Sequence, residues 1–318
     1  GRGRPGSGGW TAAVTRASVE PGTGLPRFGN RSRISPMRTD CHAHVFPPRT
    51  ARHAVASLGA RYGVDCAGKG TLEDLLERER AAGMERCVIL CAAATPGQVV
   101  AVNDFALSLQ GHSPQVAAFG TIHPAFPAWE RELERLKAGG IRGLKVHPDF
   151  QHFRLDDPRL LPLLEAAQDD FCFLFHIGDA LPPEKSPSCP YKLAALLDRF
   201  PHLRCVAAHL GGYRQWSHAL EALVGRDLWL DTSSCLPLLE PALLKALLRK
   251  HPPDRILFGS DYPLFDPADA LKRLQAAAGL SDAALERYCT NADALFPSTG
   301  HEPRDEGPVR HGAAKEGH

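Results

Sequence analysis

Eight short apolar runs recur along the chain at intervals of about thirty residues, and each is followed by a segment with helical signals. The runs lie at 37–45, 86–91, 116–122, 141–146, 171–177, 204–210, 227–232 and 255–260. Between them, Thr71-Leu-Glu-Asp opens a capping-box-like helix start running to Gly83, Pro190 begins a helix ending near Phe200, and Ser281 begins one reaching Phe296. A strand, a helix and the next strand need about thirty residues. Eight such units in roughly 260 residues predict an α/β fold of one kind, the (β/α)8 or TIM barrel, a parallel eight-stranded barrel with outer helices. An open doubly wound sheet competes, but no G-x-G-x-x-G follows the first run, as its nucleotide-binding version would need.

Composition excludes several classes of function. Hydrophobic residues at 43% and charged residues at 23% describe a globular chain with enough apolar material for a sizeable core. A formal net charge of +1 argues against nucleic acid or an anionic membrane surface as partner. No apolar run reaches the eighteen or so residues of a membrane span. The nine cysteines include no C-x-x-C pair, which fits reduced thiols in a cytoplasmic enzyme better than a disulfide framework. The expected partner is a small-molecule substrate, with a homo-oligomer formed through the outer helices as a further expectation.

The ends differ from the middle. Residues 1–36 are rich in Gly, Arg, Pro and Ser without apolar periodicity, and read as a disordered or non-native extension, with the natural start at Met37. A mitochondrial transit peptide is the rival view; the segment is basic and acid-poor but lacks an amphipathic helix pattern. The barrel domain is assigned to 37–300, and the polar stretch 301–318 to a disordered tail.

In a barrel of this kind chemistry sits at the C-terminal ends of the strands. The first run ends in Asp40-Cys41-His42-Ala43-His44, two imidazoles on one strand face, which could supply half of a four-coordinate metal site. A His-x-His is expected by chance roughly 0.7 times in a chain with this histidine content, so position must give it weight. The fourth run ends in Lys145 and His147, the fifth in His176, the sixth in His209 and the eighth in Asp261. Alternation places Gly143, Lys145 and His147 on one face, and likewise Cys172 with His176 and Cys205 and Ala207 with His209. The small residues Gly143, Ala207 and Gly259 then leave volume beneath the polar heads. Any one of these histidines could be a satisfied core or capping residue. Cys41 falls between the faces of its neighbours and reads as a buried apolar residue.

The motifs DCHAHVFP, GLKVHPDF, FHIGD, AHLGG and FGSDYP, in this order across about Met37 to Phe296, resemble the amidohydrolase superfamily of metal-dependent barrel enzymes. More narrowly they are similar to its amidohydrolase-related branch, which contains aminocarboxymuconate-semialdehyde decarboxylase and related nonoxidative decarboxylases. The resemblance implies that His42, His44, His176 and Asp261 ligate one divalent ion, with His209 a catalytic residue or a ligand of a second ion. Lys145 stands where binuclear relatives carry a carboxylated lysine bridging two metals; the alternative is a plain ammonium that binds a substrate carboxylate or pairs with Asp149. One ion is preferred to two. Imidazole and carboxylate ligands without thiolate suit Zn²⁺ first, then Mn²⁺ or Fe²⁺.

Such an ion lowers the pKa of a bound water to about 7, and Asp261 would accept that water's proton as it attacks an electrophilic carbon. His209 would bond the substrate oxygen or protonate the leaving group, while Lys145 and His147 orient an anionic or carbonyl group. The leading expectation is a hydrolase of a small amide, ester or lactone. A metal-dependent decarboxylase or hydratase of a small carboxylic acid is the alternative, and a silent metal-binding barrel ranks third. Tyr62, Tyr262 and Trp216 shape the pocket or simply pack; His123 lines it or caps a turn; the proline-rich 181–190 is taken as a semi-rigid lid.

Overall fold

The computed structural model describes residues 36–295; the expected terminal segments lie outside them save for Pro36. Among these described residues eight strands are formed: β1 (Thr39–Ala43), β2 (Arg86–Leu90), β3 (Val116–Thr121), β4 (Gly143–Val146), β5 (Cys172–Phe175), β6 (Cys205–Ala207), β7 (Trp229–Asp231) and β8 (Ile256–Leu257). Each pairs in parallel with its neighbour in chain order. The last strand returns to the first: Cys41 N–H donates to the Phe258 carbonyl at 2.9 Å, His44 N–H to Tyr262 at 2.7 Å, and Asp261 N–H to His42 at 2.8 Å. The sheet is thus a nearly closed (β/α)8 barrel ringed by helices.

The expected helix signals operate as capping groups. Thr71 accepts the Asp74 N–H ahead of the helix Leu72–Ala81, and Ser281 accepts the Ala284 N–H ahead of Asp282–Thr290. Pro190 occupies the first position of Pro190–Arg199, where its missing N–H costs nothing. The last α-helix ends earlier than the expected Phe296, passing into a 3₁₀ turn, Asn291–Leu295.

Strands buried on both faces read as continuous apolar runs, and here the two faces belong to different layers. Ile89, Leu144, Val146, Phe173 and Phe175 pack outward against helix residues such as Leu75, Leu136, Leu163 and Leu193. Val88, Leu90, Phe119, Cys172, Leu174, Val206 and Leu257 fill the barrel interior. The interior also receives Ala292 and Leu295 from the terminal 3₁₀ turn. That turn is tied to the N-terminal ends of the strands: Asp293 accepts from Met37 N–H at 3.0 Å and pairs with Arg86 at 2.5 Å, and Arg204 donates to the Leu295 carbonyl at 3.0 Å. It forms the floor of the barrel.

Two expectations about faces are corrected. In β6 the outer layer takes Cys205 and Ala207 while Val206 and Ala208 face inward, so His209 does not reach the mouth by alternation. Nor do the small residues leave empty volume. A Cβ on Gly143 would stand 2.2 Å from the Phe119 ring, and one on Gly259 2.8 Å from the His42 Cβ, so large inward side chains already occupy that space.

Glu79, on the helix Leu72–Ala81, is 3% exposed, and its carboxyl adjoins that of fully buried Asp40. Burial and then the charge of Asp40 hold Glu79 well above the usual carboxylate range, while burial raises Asp40 to about 6. A raised carboxyl keeps its proton in the fold and releases it on unfolding, so stability falls as pH rises from the unfolded value toward the folded one. Glu79→Gln, neutral and of the same shape, is therefore expected to raise the melting temperature at pH 8 more than at pH 5. Each unit of elevation it removes is worth about 1.4 kcal/mol at high pH. A gain independent of pH would contradict this.

Candidate metal centre

The C-terminal ends of β1 and β8 bring three acceptor atoms together. A β-bulge between Asp40 and Ala43 lets Cys41 join the interior while Ala43 joins the outer layer, and the chain then carries His42 and His44 to the mouth. His44 Nδ1–H donates to the Leu90 carbonyl at 2.9 Å, which leaves its Nε2 as a lone pair. His42 Nδ1 lies 2.9 Å from Asp231 Oδ2, which likewise directs its Nε2 toward the centre. The two Nε2 atoms are 3.3 Å apart, and Asp261 Oδ1 stands 3.4 Å from one and 3.5 Å from the other.

Asp261 reaches this position in a left-handed backbone conformation, φ 64°, with its second oxygen accepting the Ser234 hydroxyl. Burial opposes its ionisation, but the imidazoles of His42, His209 and His44 keep its pKa below the usual range. His44 is pushed down to about 3, chiefly by burial and then by His42. Three electron-pair donors thus face one another with no hydrogen between them, an arrangement that favours a cation. Two ligands each about 2.1 Å from a tetrahedral ion stand about 3.4 Å apart, so the donor set fits one.

Beyond this group the histidines continue as a chain of rings. Centroids lie 5.1 Å apart for His42 and His209, 4.7 Å for His209 and His176, and 3.7 Å for His176 and His147, the last pair stacked. His209 enters through a left-handed turn, φ 59°, directly after β6, which is how it faces the site despite its place in the alternation. Its Nε2 is 3.0 Å from His176 Nδ1. The fourth expected ligand, His176, therefore meets the group through His209; among the described residues no hydrogen bond or ring contact joins it to His42, His44 or Asp261, and its buried Nε2 has no partner. Burial first, then neighbouring charges, holds His147 and His176 well below the ordinary imidazole range, and burial brings His209 to about 4.

Lys145 is fully buried, its Nζ has no hydrogen-bond partner among the described residues, and burial lowers it to about 8 against the attraction of Asp231 and Asp261. The pairing of Lys145 with Asp149 does not form; Asp149 instead accepts the Ser188 hydroxyl. His147 caps the short helix Pro148–Gln151, its Nδ1 accepting from Phe150 N–H at 3.3 Å. Cys41 belongs to none of the cation-holding groups among the described residues, and burial raises its thiol well above the ordinary value.

Sequence reasoning missed Asp231 and Ser233. Asp231 is fully buried and accepts from His42; Ser233 Oγ lies 3.0 Å from His42 Nδ1 and 2.9 Å from His209 Nδ1. The signal was present, because Asp231 terminates the seventh apolar run as Asp261 terminates the eighth. Of the weaker candidates, Tyr262 packs at 0% exposure and donates to Asp74 at 2.7 Å, and Trp216 Nε1–H donates to the His209 carbonyl at 2.9 Å. His123 caps a turn, accepting Ala125 N–H at 3.1 Å. Tyr62 meets Tyr213 edge-on at 6.1 Å, and Tyr213 in turn stands 5.7 Å from the His209 ring. In the expected lid only the first half projects; Ser186, Ser188 and Cys189 are buried, and Gly178 N–H donates to Ser188 Oγ at 3.1 Å. A cleft of about 240 Å³, lined by Asp65, Thr232, Ser234, Ser260, Asp269 and Arg273 among others, adjoins Asp261 through Ser234.

The family model described as Amidohydrolase matches residues 39–297. Among solved structures, the chain resembles an amidohydrolase from Burkholderia multivorans with bound zinc at 17% identity, over 81% of this chain and 99% of that one, with a TM-score of 0.62. It resembles a dihydroxybenzoic acid decarboxylase from Polaromonas with bound manganese at 18% identity, over 82% and 97%, TM-score 0.59. It also resembles a protein named as a 2-pyrone-4,6-dicarboxylic acid hydrolase from Pseudomonas putida at 20% identity, over 82% and 97%, TM-score 0.57.

Proposed function

This chain belongs to the amidohydrolase family, and on that premise we propose that it is a divalent-metal-dependent hydrolase acting on a small amide, ester or lactone. The observation that carries the metal is the convergence of His42 Nε2, His44 Nε2 and Asp261 Oδ1 at 3.3–3.5 Å. His42, His44 and Asp261 would hold the ion, with His176 as the further expected ligand. A divalent ion there supplies Lewis acidity toward a substrate oxygen and lowers the pKa of a water to about 7.

The chain's own residues then divide the work. Asp261 Oδ1 faces the ion site while Ser234 holds Oδ2, so the carboxylate can take a proton without swinging away. His209, neutral, fixed through its Nδ1 and with Nε2 3.0 Å from His176 Nδ1, would bond the substrate oxygen or protonate the leaving group where a substrate takes the place of that contact. His147 stacks on His176 at 3.7 Å and would orient an anionic or carbonyl group of the substrate. The donor set suits Zn²⁺, with Mn²⁺ and Fe²⁺ behind it. One ion is favoured because the second pair of facing nitrogens, His209 Nε2 and His176 Nδ1, can share a proton, whereas the first group cannot. A second ion bridged by a carboxylated Lys145 is the lesser alternative. Nine free thiols accord with a cytoplasmic setting, and a homo-oligomer is retained as an expectation.

A second reading has its own support. Lys145, buried, unpartnered and lowered only to about 8, can meet a substrate carboxylate as an ammonium, as a decarboxylase or hydratase of a small carboxylic acid would require. Purified protein loaded with Zn²⁺ or Mn²⁺ is to be assayed on ester, lactone and aromatic carboxylic acid panels. Hydrolysis is the expected result; release of CO₂ without hydrolysis would overturn it in favour of the second reading. Elemental analysis is expected to find about one divalent ion per chain. Two ions, with extra density on the Lys145 amine, would overturn the count.

A further inference from the structure

We propose that Asp231, at the end of β7, is a positioning residue that sets the tautomer of His42 and the turn carrying His209, and thereby makes the cation site competent to bind. This rests on the metal-dependent function proposed above. An ionised carboxylate has no hydrogen to give. His42 Nδ1, 2.9 Å from Asp231 Oδ2, must therefore carry one, and only Nε2 is left with a lone pair. That is the atom which faces His44 and Asp261.

The other oxygen, Oδ1, accepts the backbone N–H of His209 at 3.0 Å, that of Ser233 at 3.0 Å, and the Ser233 hydroxyl. His209 lies at φ 59°, a conformation that a non-glycine residue keeps only when its surroundings hold it, and the bond to Asp231 is part of that hold. Ser233, having given its hydroxyl hydrogen to Asp231, turns its oxygen lone pairs toward the Nδ1 atoms of His42 and His209, at 3.0 and 2.9 Å. His42 and His209 thus direct their Nδ1 hydrogens at Asp231 and Ser233, at and just beyond the end of β7, which leaves a lone pair on each Nε2. Asp231 is 0% exposed, so water cannot substitute for it. Orientation of a ligating imidazole by a carboxylate typically changes metal affinity about 10–100-fold.

Asp231→Asn tests the role with almost no change of shape. Three donors converge on Oδ1, so the amide oxygen takes that place and the NH₂ faces His42. A donor facing Nδ1 drives the ring hydrogen to Nε2, where it points at His44 and Asp261 and blocks the site. The expected result is a loss of Zn²⁺ affinity of about 10–100-fold, measured by competition with a chromophoric chelator, with the melting temperature of the metal-free protein little changed.

Nitrogen-15 shifts of His42 in metal-free wild-type protein give a reading that needs no variant; an Nδ1-protonated ring is expected, and an Nε2-protonated one overturns the proposal. Stoichiometric Zn²⁺ binding by wild type together with equal affinity in Asp231→Asn would sink the role of Asp231 alone. Absence of binding by wild type while His42 is Nδ1-protonated would instead sink the metal-dependent function.

Discussion

Asp261→Ala is expected to lower kcat/KM by about 10³-fold or more, because it removes a metal-facing oxygen and the group placed to take a proton, and base removal alone costs about 10²–10⁴-fold. It is also expected to abolish stabilisation by added metal. An ion that binds only the folded protein contributes about 2.7 kcal/mol at a hundredfold excess over its Kd, so wild-type protein should melt higher with Zn²⁺ than without. In Asp261→Ala and in His42→Ala that difference should vanish. The metal-free melting temperature of Asp261→Ala should hold or rise, since it removes one of three acceptors that face each other at 3.3–3.5 Å, whereas His42→Ala also takes the donor from buried Asp231 and should melt lower. The two readouts separate loss of the ion from loss of the fold. Full activity after exhaustive chelation, or an undiminished metal-induced shift in Asp261→Ala, would refute the site.

The largest effect on stability away from the site is expected at Leu295. This side chain is 2% exposed and enters the interior cluster with Val206, Trp229 and Leu257, so that a short 3₁₀ turn closes the barrel from below. Leu295→Ala removes its apolar contacts and leaves a cavity that rigid strands cannot collapse around. The expected cost is about 2–5 kcal/mol in urea unfolding. Leu238, 47% exposed, is the control: its replacement by alanine should change stability by no more than about 0.5 kcal/mol. A cost below about 1 kcal/mol at Leu295 would show that the turn is not part of the core.

Much of this architecture is legible in the chain because its cause is local. Strands buried on both faces must be apolar throughout, and the helices between them start at Thr71, Pro190 and Ser281, which act within a few residues of themselves. Strand neighbours in sequence are neighbours in the sheet, so register carries little long-range information. The polar residues ending these runs were readable for the same reason, and Asp231 was as readable as Asp261. Other features depend on conformations no residue type announces. His209 and Asp261 adopt left-handed φ without glycine, held by bonds to Asp231 and to the His42 carbonyl, and the bulge in β1 breaks the alternation that would have assigned Cys41.

By itself, then, the sequence determined that this is a (β/α)8 barrel of the amidohydrolase family with histidines and acids at its strand ends. Apolar periodicity and capping act over a few residues, and a motif is a local string. Only the tertiary structure decided which of those ends meet: that His42, His44 and Asp261 converge, that His176 adjoins them through His209, that Lys145 stands without a partner, and that Asp231 orients His42 from 189 residues away. The physical reason is closure of the sheet. Bringing β8 back to β1 sets distances of 3.4 and 3.5 Å between atoms far apart along the chain, and hydrogen-bond direction in that closed ring fixes which nitrogen keeps its lone pair.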